Sequence, residues 1–239
     1  MSASDRPGAL TRRNLRVVAF ALFAALAGHG AAQTPPSPAE AARYGGLHAA
    51  AWQGDAARIA QLLAGGADPN ARDGHGRTPL HLATFAKRRD AVRALAKGGA
   101  DLGALENDRY DAVTIAAVAD DEETLSLLLS IGASAKLVTS RYDGTALIAA
   151  AHLRHDGVVR QLIKAGAPLD HVNNLHWTAL IESIVLGSGG PRHVATLQAL
   201  VEAGANTQLA DREGRTPLAL ARSRSYEPMV AILLKAGAR

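Results

Sequence analysis

Asp73-Gly-His-Gly-Arg-Thr-Pro-Leu-His81, then Leu82-Ala-Thr-Phe85, then Ala91-Val-Arg-Ala-Leu95 and Gly99-Ala-Asp101, is the stretch on which the fold turns. It reads as a turn, a short helix, a second helix and a stop. Thr78 is a suitable N-cap, and Pro79 takes the first helical position, where a missing N–H costs nothing. Leu80 and Ala83 share one face of the first helix, and Ala keeps that helix thin enough for close stacking. Val92 and Leu95 recur at helical spacing in the second helix. Gly99 is placed to end that helix in a left-handed conformation.

Outward from this stretch, the same stop recurs at Gly66-Ala67, Gly132-Ala133, Gly166-Ala167, Gly204-Ala205 and Gly237-Ala238. The six stops are spaced 33, 33, 34, 38 and 33 residues apart, each after an apolar run. A fixed period near 33 is the signature of a solenoid whose units bury their apolar faces against their neighbours. The second helices of the other units repeat the apolar pattern at Ile59, Leu62 and Leu63, at Leu125, Leu128 and Leu129, and at Val158, Val159, Leu162 and Ile163. Counting back from each stop puts Gly45, Asp111, Thr145, Thr178 and Thr216 in the cap slot of Thr78.

The Thr-Pro-Leu-His-x-Ala helix start and the Gly-Ala-Asp ending, recurring in register over residues 42–239, resemble the ankyrin family. The resemblance implies an all-α solenoid of about six helix-turn-helix units with β-turn fingers. The third unit departs most, with Arg109 where a turn glycine is expected, so its finger is expected to be distorted. The fifth unit carries an insertion, Gly187-Ser-Gly-Gly-Pro-Arg-His193, which accounts for the 38-residue spacing. It is expected to lengthen the connection between the two helices at the rim opposite the fingers, either as a tolerated surface loop or as a partner-specific one.

The N-terminus reads as an export signal. Arg12, Arg13 and Arg16 form a basic region, Val17 to Ala27 an apolar one, and Gly30-Ala31-Ala32 a small-residue cleavage site. A signal peptide over 1–32, a Pro-rich tether over 33–41 and a repeat domain over 42–239 follow. Periplasmic residence is expected, an uncleaved membrane anchor being the alternative. The apolar run falls short of the roughly 20 residues of a comfortable span. Arg12-Arg13 also hints at twin-arginine export, which Arg16 weakens. Losing the segment removes four Arg and one Asp from 26 basic and 22 acidic residues, leaving a formal charge of +1. No basic stripe remains for nucleic acid. With no cysteine, thiolate metal sites, thiol catalysis and disulfides are excluded.

By the resemblance, binding falls to the fingers and to the exposed side of the first helices. Tyr44, Tyr110 and Trp177 stand immediately before the cap slot and Tyr142 three before it; Trp52, Phe85 and His152 stand seven after it. Six of the seven aromatics beyond residue 32 map to this row, Tyr226 alone lying outside it. Aromatic residues concentrated on one surface are the usual anchors of interfaces, although one before a cap also serves to cover its neighbour. Arg77, Asp108 and Arg141 fall in the same row and supply charge. The row therefore points to a monomeric, non-enzymatic protein-binding module without cofactor, whose partner sits on the concave face. The alternative is a small-ligand pocket between the fourth and fifth units around Arg141, Tyr142, His152 and Trp177. His152 and His155 lack a third metal ligand, and Asp120 to Glu123 read as favourable charge at a helix start. No nucleophile elbow, triad or phosphate loop is present.

Overall fold

The computed structural model describes residues 33–239. The chain divides into the units Met1–Thr34 and Pro35–Arg239, and the second carries the fold. One helical turn, α1 (Pro38–Ala41), leads into six helix pairs. These are α2 (Gly46–Gln53) with α3 (Ala56–Ala64), α4 (Pro79–Phe85) with α5 (Arg89–Lys97), and α6 (Ala112–Val118) with α7 (Glu122–Ser130). Then come α8 (Ala146–His152) with α9 (Asp156–Lys164), α10 (Ala179–Val185) with α11 (Pro191–Glu202), and α12 (Pro217–Ser223) with α13 (Glu227–Lys235). Two short antiparallel strands, β1 (Val138–Thr139) and β2 (Gly144–Thr145), brace the fourth finger, with Val138 opposite Thr145 and Thr139 opposite Gly144.

Each first helix begins directly after the cap residue read from the sequence: Gly45, Thr78, Asp111, Thr145, Thr178 and Thr216. Each second helix ends in the same hydrogen-bonded stop. The N–H of Ala67, Ala100, Ala133, Ala167, Ala205 and Ala238 reaches back to Leu62, Leu95, Leu128, Leu162, Leu200 and Leu233, each at 3.0 Å. The glycine before each alanine holds φ between 78° and 98°, a conformation open to glycine and costly for residues with a Cβ. First helices pack on first helices and second on second, so Leu80, Leu82, Leu147, Leu180 and Ile181 join Val92, Leu95, Leu125, Leu128 and Leu162 in one continuous core.

Two expectations change. The third finger is regular: Arg109 itself takes φ 66°, beside 71° for Gly76 and 74° for Gly214 at the matching places. Its N–H bonds to Glu106 O at 2.8 Å as Gly76 bonds to Asp73 O at 2.9 Å. The turn geometry outweighs the modest penalty of left-handed backbone at a residue with a side chain. The fourth finger is the longer one, with left-handed Ser140 and Asp143 absorbing the extra residue of the 34-residue period.

The fifth insertion is shared between loop and helix. Only Leu186 to Gly190 form the connection, and Pro191, Arg192 and His193 extend α11 to 12 residues, against 9 in the second helix of every other pair. The segment is also tied down. Tyr226 Oη donates to Gly187 O at 2.9 Å, and Arg192 reaches Asp156 at 3.0 Å and Asp120 at 3.1 Å. It thus bonds repeats three, four and six to the fifth.

Within the segment read as a Pro-rich tether, Pro38–Ala41 is helical. Ser37 and Glu40 form a reciprocal capping box at α1, and Glu40 Oε1 accepts from Arg77 Nη2 at 2.8 Å and lies 2.9 Å from His75 Nε2. The turn is fastened to the second finger.

Candidate functional site

Each of fingers two to six is built round one side chain that accepts from two main-chain N–H groups further along. Asp73 Oδ1 takes His75 and Arg77, Asn173 Oδ1 takes Leu175 and Trp177, and Asp211 Oδ1 takes Glu213 and Arg215. Glu106 divides the same task between its two oxygens for Asp108 and Tyr110, and Ser140 Oγ performs it for Tyr142 and Gly144. Such side chains mimic a backbone turn and pin the loop. Successive fingers are then joined by main-chain bonds from Asn107 to His75, from Ser140 to Arg109 and from Asn174 to Tyr142, at 3.0, 2.9 and 3.0 Å. The tips of fingers two to five therefore form one connected edge.

Three surroundings emerge for the residues singled out in the sequence. Arg77 is enclosed: its side chain is 4% exposed, and Nε meets Asp73 Oδ2 at 2.7 Å while Nη2 meets Glu40. Tyr44 donates its hydroxyl to the same Asp73 oxygen at 2.7 Å and stacks on His48. Burial opposes the Asp73 carboxylate, yet the bonds from Tyr44 and Arg77 outweigh it and hold its pKa below the ordinary value. Hydrogen bonds from Ser37, then Arg77, lower Glu40 to about 2. This geometry gives Arg77 a role in holding the second finger.

Fingers three to five form the second surrounding. Arg141 is exposed and pairs with Asp108 at 2.5 Å across two fingers. Tyr110 and Tyr142 are half-buried beside this pair, and Tyr110 is pushed up, first by burial and then by Asp108. Trp177 follows in the fifth finger, half-buried against the core. The third surrounding is the far end of the first helices. Trp52 and Phe85 are half-buried there, and Trp52 O accepts from Arg88 Nε at 3.4 Å. His152 is exposed at the end of α8, with Nδ1 3.4 Å from Glu182 Oε2.

Other groups have structural duties. His81 Nδ1 accepts the Thr78 N–H at 3.0 Å, and its Nε2 contacts Tyr110 O at 3.1 Å; His48 makes the matching contact to Arg77 O at 3.3 Å. His155 Nδ1 bonds to Ala117 O at 2.9 Å. Asp121 caps α7 by accepting from Thr124 N–H and hydroxyl. Among the described residues no group of three or more His, Cys, Asp or Glu could hold a metal ion, and no helix is long and apolar enough to cross a membrane.

A cleft of about 380 Å³ lies at the fifth-repeat insertion, lined by Arg154, Ser188, Gly190, Pro191, Arg192 and His193. It includes none of Arg141, Tyr142, His152 and Trp177.

Sequence reasoning passed over Glu182. It stands four residues after the cap, a place filled elsewhere by Ala49, Leu82, Ile115, Ala149 and Leu220. A lone carboxylate in an apolar column is the signal that marks it.

A family profile for ankyrin repeats in three copies matches residues 47–139 and 116–211. The chain belongs to the ankyrin repeat family. Among relatives of this ankyrin protein, the Escherichia coli (strain K12) ankyrin repeat protein YahD is 35% identical over 190 residues, 79% of this chain and 94% of that one. An ankyrin repeat domain from Acinetobacter baumannii AYE superposes with a TM-score of 0.76 at 42% identity, covering 81% of this chain and 98% of the other. The ankyrin repeat domain of Bcl-3, a member of the IkappaB protein family, gives 0.73 at 28% identity over 82% and 88% of the two chains.

Proposed function

We propose that this ankyrin protein is an exported, non-enzymatic binding module that holds one protein partner on fingers three to five and the adjoining ends of the first helices. Ankyrin repeat proteins are in general protein-interaction modules, and the scaffold itself leaves the partner open. The observation that carries the placement is the Asp108–Arg141 pair at 2.5 Å, set between half-buried Tyr110 and Tyr142. Aromatic groups with polar tips beside an orienting arginine are the composition of interface anchors. Arg77 is left out of this surface because its guanidinium is already taken up. The cleft at the insertion lends the small-ligand alternative nothing, since none of the residues that alternative names lines it.

Export rests on residues 1–32, which lie outside the described residues, and the intact mass of the secreted protein tests it. A mature chain beginning at Gln33 supports cleavage after Ala32, and retention of the full mass contradicts it. For the binding surface, affinity capture from a periplasmic extract is compared between the protein and a Tyr110→Ala, Tyr142→Ala, Trp177→Ala variant. Loss of the captured protein with unchanged far-ultraviolet circular dichroism supports the surface. Equal capture by both contradicts it.

A further inference from the structure

Glu182 is 4% exposed in the middle of α10, where the matching residues of other repeats are apolar. Its Oε1 accepts from Asn173 Nδ2 at 3.1 Å. Its Oε2 is buried and accepts no hydrogen bond among the described residues. The nearest cationic candidate is His152 Nδ1, 3.4 Å away and out of hydrogen-bonding alignment, on a ring 46% exposed. Asp120 also has a bare oxygen, but a third of its side chain is exposed and its second oxygen takes Arg192 at 3.1 Å. Glu182 is therefore the enclosed carboxylate with an acceptor to spare.

A carboxylate withdrawn from water costs stability unless its lone pairs are filled, and an apolar residue of similar size usually stabilises such a place. The surroundings lead outward rather than inward. Asn173, which fills one oxygen, uses its own carbonyl oxygen to hold the N–H of Trp177 at 3.0 Å, so the aromatic finger and the carboxylate share one amide. On the other side the His152 ring, 46% exposed, lies 3.4 Å from Oε2. Ala149, the counterpart of Glu182 in the preceding repeat, is small and partly exposed.

We propose that Glu182, with Asn173 behind it and His152 as a displaceable cover, is a socket for a basic side chain of the bound partner, an arginine in preference to a lysine. A planar guanidinium offers several N–H donors to one carboxylate and stacks on aromatic faces, which suits a carboxylate beside the exposed His152 imidazole and linked through Asn173 to the Trp177 finger. The inference rests on the protein-binding reading above and names the chemistry that the partner brings to it.

The test is a ¹⁵N-detected titration of the purified protein with N-acetyl-arginine amide, with N-acetyl-citrulline amide as the uncharged control. The socket predicts saturable shifts of the Asn173 side-chain amide and the Trp177 indole N–H with arginine and none with citrulline. Glu182→Gln keeps the shape and the bond to Asn173, and it weakens arginine binding at least tenfold. Glu182→Leu melts higher than the parent and loses the arginine response, which separates a lost site from a lost fold. Equal responses to arginine and citrulline, or arginine binding unchanged in Glu182→Gln, overturn the socket. If that happens while the finger variant still abolishes capture, the protein-binding reading survives. Arginine binding that depends on Glu182, together with capture unaffected by the finger variant, sinks the reading and leaves the socket standing.

Discussion

Fingers two and four each carry an arginine, yet Arg77 is 4% exposed and Arg141 is 57% exposed. The difference lies in what the chain supplies around them. In finger two, Asp73 stands four residues before Arg77, Tyr44 closes over the carboxylate, and the α1 turn brings Glu40 to the guanidinium Nη2. In finger four, the extra residue places Arg141 at the tip, next to left-handed Ser140, where its ionic partner among the described residues is Asp108 of the finger before. Finger six makes the point a third time. It repeats the Asp-x-x-Gly-Arg-Thr-Pro-Leu of finger two as Asp211 to Leu218, but Arg215, with no α1 to cover it, is 52% exposed. The same residue type is structural where the chain closes over it and available where the chain does not.

Breaking the closed finger carries the largest expected effect. Arg77→Ala leaves the Asp73 carboxylate enclosed without its cation, and loss of one partner from such a pair costs about 3 kcal/mol. Chemical denaturation should show it as a lower midpoint with unchanged slope. An effect inside the error of the fit contradicts the closed arrangement.

The His81 contact between repeats two and three is expected to respond to pH. Burial foremost lowers His81 from 6.5 to about 4, so the folded protein keeps this imidazole neutral while the unfolded chain takes up a proton first. Stability from this residue is complete above pH 6.5 and is lost as the pH falls towards 4. The full loss is on the order of 3 kcal/mol at 1.36 kcal/mol per unit. Thermal melts between pH 7 and pH 5 should decline less steeply in His81→Asn, and parallel curves for the two proteins contradict this. His193, also lowered by burial, acts in the same direction and leaves a residual slope.

Arg109→Gly sharpens the comparison from the side of finger three. Glycine relieves the left-handed backbone but gives up the exposed pair with Asp143 at 2.9 Å, so the net change is within about 1 kcal/mol of zero. A loss well beyond that, seen in the same denaturation experiment, means the side chain supports the finger more than its exposure suggests. Arg141→Ala, in the open finger, should leave the melting temperature where it is while weakening partner capture. A fall in both assigns Arg141 to the same structural class as Arg77.

Periodicity carried most of the fold because each stop and each cap is a local event. A glycine forced to left-handed φ and a Thr-Pro pair at a helix start need no knowledge of the neighbours, so all six caps were legible at their residue numbers. Burial of the finger row was not legible, because it depends on residues a whole repeat away. Glu40 lies 37 residues before Arg77, and Arg192 reaches Asp120 across 72 residues. Arg109 was misjudged for a related reason: propensity disfavours it, while bonds from the adjoining fingers hold the turn regardless. Glu182 was open to detection as the one charge in its column, but its bare oxygen is a property of packing alone.

The central claim is that fingers three to five, rather than the insertion rim, meet the partner. Photocrosslinking in the native cell tests it directly, with a photoreactive amino acid placed at Tyr142, at Tyr110 or at Arg192. The account predicts one crosslinked protein, shared by the Tyr142 and Tyr110 positions and absent at Arg192. Crosslinks confined to Arg192, or none at either tyrosine, would contradict it.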